Sequence, residues 1–144
     1  IINRMIDLIN KNGKPLIGVL DTIAFLKKNK VKIGLATSSY SVLIKAVLEA
    51  LEIKKVFDFV HSAENEKFGK PHPAVYLTVA DHLNVSPLKC LVIEDSLNGI
   101  ISGKAARMKV VCIPEKTHEP NVKLNVADYI FEDMIEMLNE IKNV

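Results

Sequence analysis

"KCLVIEDSLNGI", residues 89–100, runs from Cys90 through Leu91, Val92 and Ile93 into two adjacent carboxylates, Glu94 and Asp95, and then into a small polar turn. Neighbouring carboxylate charges repel unless something cationic lies between or beside them. The stretch therefore reads as a strand that carries a charged site at its end. Outward from it, apolar runs of strand length alternate with longer segments of helical period, the pattern of a mostly parallel sheet covered by helices. The expected strands are 31–37 ("VKIGLAT"), 57–63 ("FDFVHSA"), 90–95 ("CLVIED"), 109–114 ("KVVCIP") and 128–131 ("DYIF"). The expected helices are 1–11, 18–29, 41–51, 73–83, 97–106 and 133–142.

The chain has 144 residues, the size of one domain, which can bury most of its apolar surface without disulfides. Hydrophobic residues make up 49% and charged residues 25%, which excludes a disordered or fibrous chain. A net charge of +2, from 19 basic and 17 acidic residues in even scatter, points to no nucleic acid and no membrane surface. Cys90 and Cys112 each lie in or beside an apolar run and read as small hydrophobes, for which a reducing cytoplasm is the simplest setting. No stretch reaches the apolar length of a membrane span, and "IINRMIDLINKNGK" lacks the order of a signal peptide. The missing initial Met reads as a cut inside a longer protein.

Polar residues gather where the strands end: Thr37, Ser38 and Ser39 after the first, Glu94 and Asp95 after the third. In an open parallel sheet the carboxyl ends of the strands form the ligand-binding edge, and helix N-termini there attract anions. Thr37 with the next backbone N–H groups suits a phosphate oxygen; the plainer reading makes Ser38 or Ser39 an N-cap. Lys70 lies in "EKFGKPHP", where a glycine and two prolines restrict the backbone and aim the ammonium inward; the plainer reading is an exposed loop lysine. Glu94 and Asp95 suit Mg²⁺, which takes one or two carboxylates plus substrate oxygens and water. Their plainer reading has Asp95 capping the helix that starts near Ser96 while Glu94 faces solvent.

Other motifs carry less. "GIISGKA" is one residue short of a phosphate-binding P-loop between Gly99 and Gly103, and Ala105 stands where Ser or Thr would ligate a metal. His61, His72, His82 and His118 lack metal-ligand spacing, and His72 between two prolines reads as loop structure. Cys90 has no nearby base.

A strand-end Thr, a loop Lys before Pro and a strand-end acidic pair, in that order, resemble the haloacid dehalogenase-like (HAD) hydrolase superfamily. The likeness rests on "IGLATSS", "GKPHPAVY" and "LVIEDSLNGI" and runs over nearly the whole chain. Within the superfamily the chain is most similar to the β-phosphoglucomutase-like branch, and "PLKCLVIEDSLNGIISGKAARM" to its sugar phosphatases, with Arg107 where many members have Gly. The resemblance implies a Rossmann-like three-layer sandwich with a mostly parallel sheet: residues 1–14 as the last helix of a helical cap, residues 15–144 as the core. It implies phosphoryl transfer through an aspartyl-phosphate on a small-molecule phosphate monoester. Thr37 and Lys70 would be catalytic, with Ser38 beside them on the phosphate. Asp95 would hold Mg²⁺, with Glu94 as second ligand or water anchor.

One departure is large. The family's first motif, DxDxT, supplies the nucleophile on the first, central strand, and it is absent: Asp21 lies in a helical pattern, Asp58 in "VFDFV", and neither begins a DxD. The strands ending at Thr37 and Asp95 would thus lose their shared neighbour. The expected relief is direct pairing, a strand-swapped dimer or a missing N-terminal segment. Lys70 and Asp95 are both expected on a solvent-facing rim, where substitution leaves stability unchanged. Two readings compete with the phosphatase: a phosphomutase, and a non-catalytic binding module with the same fold. A receiver domain uses a similar residue set, but in the other order.

Overall fold

The computed structural model describes residues 1–116 and 121–143; His118 lies outside the described residues. Five strands form: β1 Gly34–Thr37, β2 Phe59–Ser62, β3 Leu91–Glu94, β4 Lys109–Cys112 and β5 Tyr129–Ile130. Six α-helices accompany them: α1 Ile2–Asn12, α2 Val19–Lys28, α3 Ser41–Ala50, α4 Ala74–His82, α5 Leu97–Ala105 and α6 Met134–Lys142. Every strand pair is parallel, with Thr37 opposite Ser62 and Glu94 opposite Cys112. The α/β alternation read from the sequence is therefore the observed one.

The side-chain alternation of β1 builds two layers at once. Leu35 packs with Ile44 and Leu48 of α3, while Ala36, facing the other way, joins Val75, Tyr76 and Ala80 of α4. The second cluster continues through Val92, Ile100, Val110 and Cys112, with Ile100 and Val110 fully buried. Burying a side chain such as Ile100 contributes about 2 kcal/mol, so α5 is held to β3 and β4 chiefly by its apolar face. Gly34 has no Cβ because α4 crosses β1 there: an added Cβ would overlap the Val79 side chain.

The sheet departs from the expectation of closure. It is two sheets, β1-β2 and β3-β4-β5, and β1 does not pair with β3. Helices set this spacing: α4 lies on β1 and β2, α5 lies on β3 and β4, and the two helices touch. The run "CLVI" also differs from a strand buried on both faces. Val92 is 5% exposed, whereas Leu91 and Ile93 on the opposite face are 47% and 39% exposed.

Four helices end alike. After α2, α3, α4 and α5, the residues Lys30, Glu52, Asn84 and Arg107 adopt left-handed backbone, with φ of 56°, 55°, 53° and 62°. Each donates its N–H three residues back, and the next residue donates five back, as in Arg107 to Lys104 at 2.9 Å and Met108 to Gly103 at 3.1 Å. These are Schellman caps, and a glycine is the residue that usually ends them.

Candidate active site

Lys70 bridges the strand ends of β1 and β3. Lys70 Nζ donates to the Ala36 carbonyl at 3.4 Å and to Glu94 Oε1. The Lys70 and Glu94 side chains are 11% and 8% exposed. The inward-aimed reading of Lys70 holds over the exposed loop lysine, and Glu94 does not take its solvent-facing alternative; the one expectation corrected is that Lys70 sits on a solvent-facing rim. The physical reason lies in the loop. Ser102 Oγ on α5, wholly buried, donates to His72 O at 2.8 Å, and the Ala74 N–H donates to His72 Nδ1 at 3.2 Å. The loop is thereby clamped to α5, and Lys70 can extend only inward. His72 is loop structure, as its two flanking prolines indicate.

Both oxygens of Glu94 are engaged. Oε1 accepts from Lys70 and from the Tyr76 hydroxyl, while Oε2 accepts from Ser96 Oγ at 3.0 Å and from the Asp95 and Ser96 N–H groups at 3.3 and 3.4 Å. Burial pushes the Glu94 carboxyl up, but hydrogen bonds from Lys70, Tyr76 and Ser96 outweigh it and hold the group below its usual range. Tyr76 is shifted upward, by burial first and then by the Glu94 charge, so its hydroxyl remains a donor. Gly99 makes the carboxylate's position possible, since a Cβ added there would fall inside the Glu94 carboxylate. The α5 N-cap is Ser96, accepting from the Gly99 N–H at 3.1 Å, and not Asp95. Ser96 prevails because its hydroxyl bonds Glu94 and the helix end together.

Asp95 is exposed, and its carboxylate has no hydrogen-bond or ion-pair partner among the described residues. Among them no group of three or more His, Cys, Asp or Glu side chains could hold a metal. One free hard-oxygen ligand beside a phosphate-type rim fits Mg²⁺, which takes its other ligands from water and substrate. Glu94, with both oxygens taken, does not offer a second ligand in this arrangement.

At the other strand end Thr37 is half-buried, and its Oγ1 accepts from the Ser39 N–H at 3.1 Å, which leaves the hydroxyl proton to donate. Ser38 is exposed on the same turn. Buried Ser62 donates to Ser39 O at 2.6 Å and fixes that turn. Neither Ser38 nor Ser39 caps α3. Glu64 does so, accepting from the Ser41 N–H at 2.8 Å and Ser41 Oγ at 2.7 Å, which lowers its carboxyl below the usual range. Sequence reading missed Tyr76, Ser62, Glu64 and the role of Gly99; the hydroxyl of "DSLN", Ser96, was legible as a possible cap, but its bond to Glu94 was not.

Thr37, Lys70 and the Glu94–Asp95 pair thus converge at the carboxyl ends of two parallel strands, the ligand edge of a parallel α/β protein. The chain belongs to the haloacid dehalogenase-like hydrolase family, whose family model matches residues 3–107. It is 35% identical over 137 residues to hexitol phosphatase B of Escherichia coli (strain K12), covering 95% of this chain and 62% of that protein. It is 31% identical to a phosphorylated carbohydrates phosphatase of Thermotoga maritima, covering 88% of this chain and 59% of that protein. Among solved structures, a β-phosphoglucomutase from Clostridium difficile superposes with a TM-score of 0.81 at 31% identity, covering 98% of this chain and 63% of that one. CbbY from Rhodobacter sphaeroides in complex with phosphate gives 0.82 at 25% identity, covering 94% and 61%. The chain therefore spans about three fifths of the length of the curated relatives it matches.

Proposed function

We propose that this chain carries the phosphate- and metal-binding half of a Mg²⁺-dependent phosphatase of small sugar or polyol phosphates, acting through an aspartyl-phosphate in the cytoplasm. The observation that carries the proposal is the buried Lys70 ammonium joining the β1 and β3 strand ends beside Thr37 and the free Asp95 carboxylate. The relatives named hexitol phosphatase B and phosphorylated carbohydrates phosphatase support the substrate class. Residues 1–14 serve as the last helix of a cap and residues 15–144 as the core.

Thr37 and the exposed Ser38 hold phosphoryl oxygens by hydrogen bonds. Lys70 offsets the charge that gathers on the transferring group, the main catalytic task in phosphoryl transfer. Glu94 holds Lys70 in place, and Asp95 takes the metal. Bound Mg²⁺ would neutralise phosphate charge at that carboxylate. The nucleophile is not among these 144 residues, so the chain alone should turn over no phosphate monoester. The test is a panel of phosphate monoesters offered to the complete protein in Mg²⁺ and in EDTA; equal turnover in both would remove the metal role from Asp95. A phosphomutase shares every residue named here, and the same panel with a sugar bisphosphate activator separates the two.

A further inference from the structure

We infer that Tyr76 is the positioning residue for Lys70 and Glu94. This rests on the phosphatase reading for its purpose but on geometry alone for its substance. Tyr76, on the first turn of α4, is 7% exposed. Its hydroxyl donates to Glu94 Oε1, the same oxygen that accepts from Lys70. Its ring lies beneath the Lys70 ammonium, with Nζ 4.7 Å from the ring centroid. One side chain therefore touches both members of the buried pair, each by a different interaction.

The arrangement has a consequence for the ammonium's third proton. Lysine has three donors. Two go to Ala36 O and Glu94 Oε1, and the ring face blocks the side on which it lies. With two acceptors fixed, tetrahedral geometry at Nζ sets the third proton's direction, so whatever holds the Glu94 carboxylate also holds that direction. Without the hydroxyl, Glu94 Oε1 loses one of its two donors, and the carboxylate gains freedom to rotate and carry Lys70 with it. A phenylalanine would keep the packing and the cation–π contact while losing this tether. The residue acts through Lys70 and Glu94 and touches no reacting group itself.

The experiment is trace acetylation of the folded 144-residue chain, with each lysine's rate read by mass spectrometry against the exposed references Lys28 and Lys54. In Tyr76→Phe, Lys70 should label roughly tenfold faster, the scale of losing one charge-assisted hydrogen bond, with reference rates unchanged and the melting temperature lower by about 3–6 °C. Labelling of Lys70 at the parental rate would overturn the proposal. Should Tyr76→Phe not fold, the unsubstituted chain still decides: its Tyr76 hydroxyl proton should give a slowly exchanging resonance close to the Lys70 side chain, and a freely exchanging hydroxyl would overturn it. These readouts need no turnover, so they stand apart from the phosphatase reading. In the complete enzyme Tyr76→Phe should lower kcat with KM held, and a change confined to KM would count against positioning.

Discussion

Lys70 and Asp95 were matched in expectation and are opposites in the structure. Lys70→Ala would strand the buried Glu94 charge beside an apolar cluster, and removing one partner of a buried pair costs about 3–5 kcal/mol. Asp95→Asn removes an exposed carboxylate and should stay within about 0.5 kcal/mol. Urea unfolding of both variants checks this; equal midpoints would contradict the buried pair. Gly99→Ala is the steric counterpart, since the methyl would displace the Glu94 carboxylate, and overpacking of this kind costs about 1–3 kcal/mol. A parental melting temperature for that variant would show that the carboxylate lies elsewhere. At Thr37 the hydroxyl is what matters, so in the complete enzyme Thr37→Ser should be mild and Thr37→Val severe. The acidic pair, Thr37 and Lys70 were legible in sequence as residue types, whereas Tyr76 was not. That Glu94 turns inward and Asp95 outward follows from side-chain alternation plus the donors waiting on the inner side alone, which come from α4, the loop before it and Ser96.

The Schellman ends of α2, α3 and α5 hold Lys30, Glu52 and Arg107 in left-handed backbone, which costs a residue with a Cβ roughly 1 kcal/mol. Arg107→Gly should therefore raise the melting temperature by about 3 °C in a chain of this size, and a scanning calorimeter would detect it. No gain would mean that the Arg107 side chain makes a compensating contact. Strand starts carry a second device. Asp58 accepts from the Ile33 N–H at 2.7 Å and from Lys27 at 3.1 Å, and Asp128 accepts from the Val110 N–H at 2.8 Å and from Lys104 at 2.7 Å. In each case an Asp ahead of an outer strand ties down the neighbouring strand and a helix lysine. Asp58, unexplained as a motif, is structural. Hydrogen bonding from Lys104 first, joined by Val110 and Lys109, outweighs the opposing effect of burial and lowers Asp128 from 3.8 to about 2. A depressed carboxyl adds stability above its unfolded value, and that stability disappears as pH falls through the folded value. Asp128→Asn should therefore cost roughly 1–2 kcal/mol at neutral pH, and the deficit should shrink as pH falls from about 4 towards 2. Urea midpoints at several pH values test the trend, and a pH-independent deficit would contradict it.

At the scale of the molecule, β1 and β3 are edge strands of their two sheets, their ends bridged by Lys70, and Leu91 and Ile93 expose apolar surface on β3. Open edges next to apolar surface recruit further strands, so the 144-residue chain alone should associate as its concentration rises. Sedimentation would show this, and Ile93→Lys should suppress it; a monomer at every concentration would refute the expectation. The period of the apolar residues determined the α/β alternation, the order of the elements and which polar residues stand at strand ends, because side-chain periodicity is a local property of the backbone. Tertiary structure alone decided that the sheet stands in two parts, that the inward Lys70 pairs with Glu94, and that Tyr76 and Gly99 shape the site. The reason is that those outcomes depend on which helix crosses which strand: residues 24 and 18 positions apart in sequence meet at one carboxylate only after α4 and α5 have packed against each other.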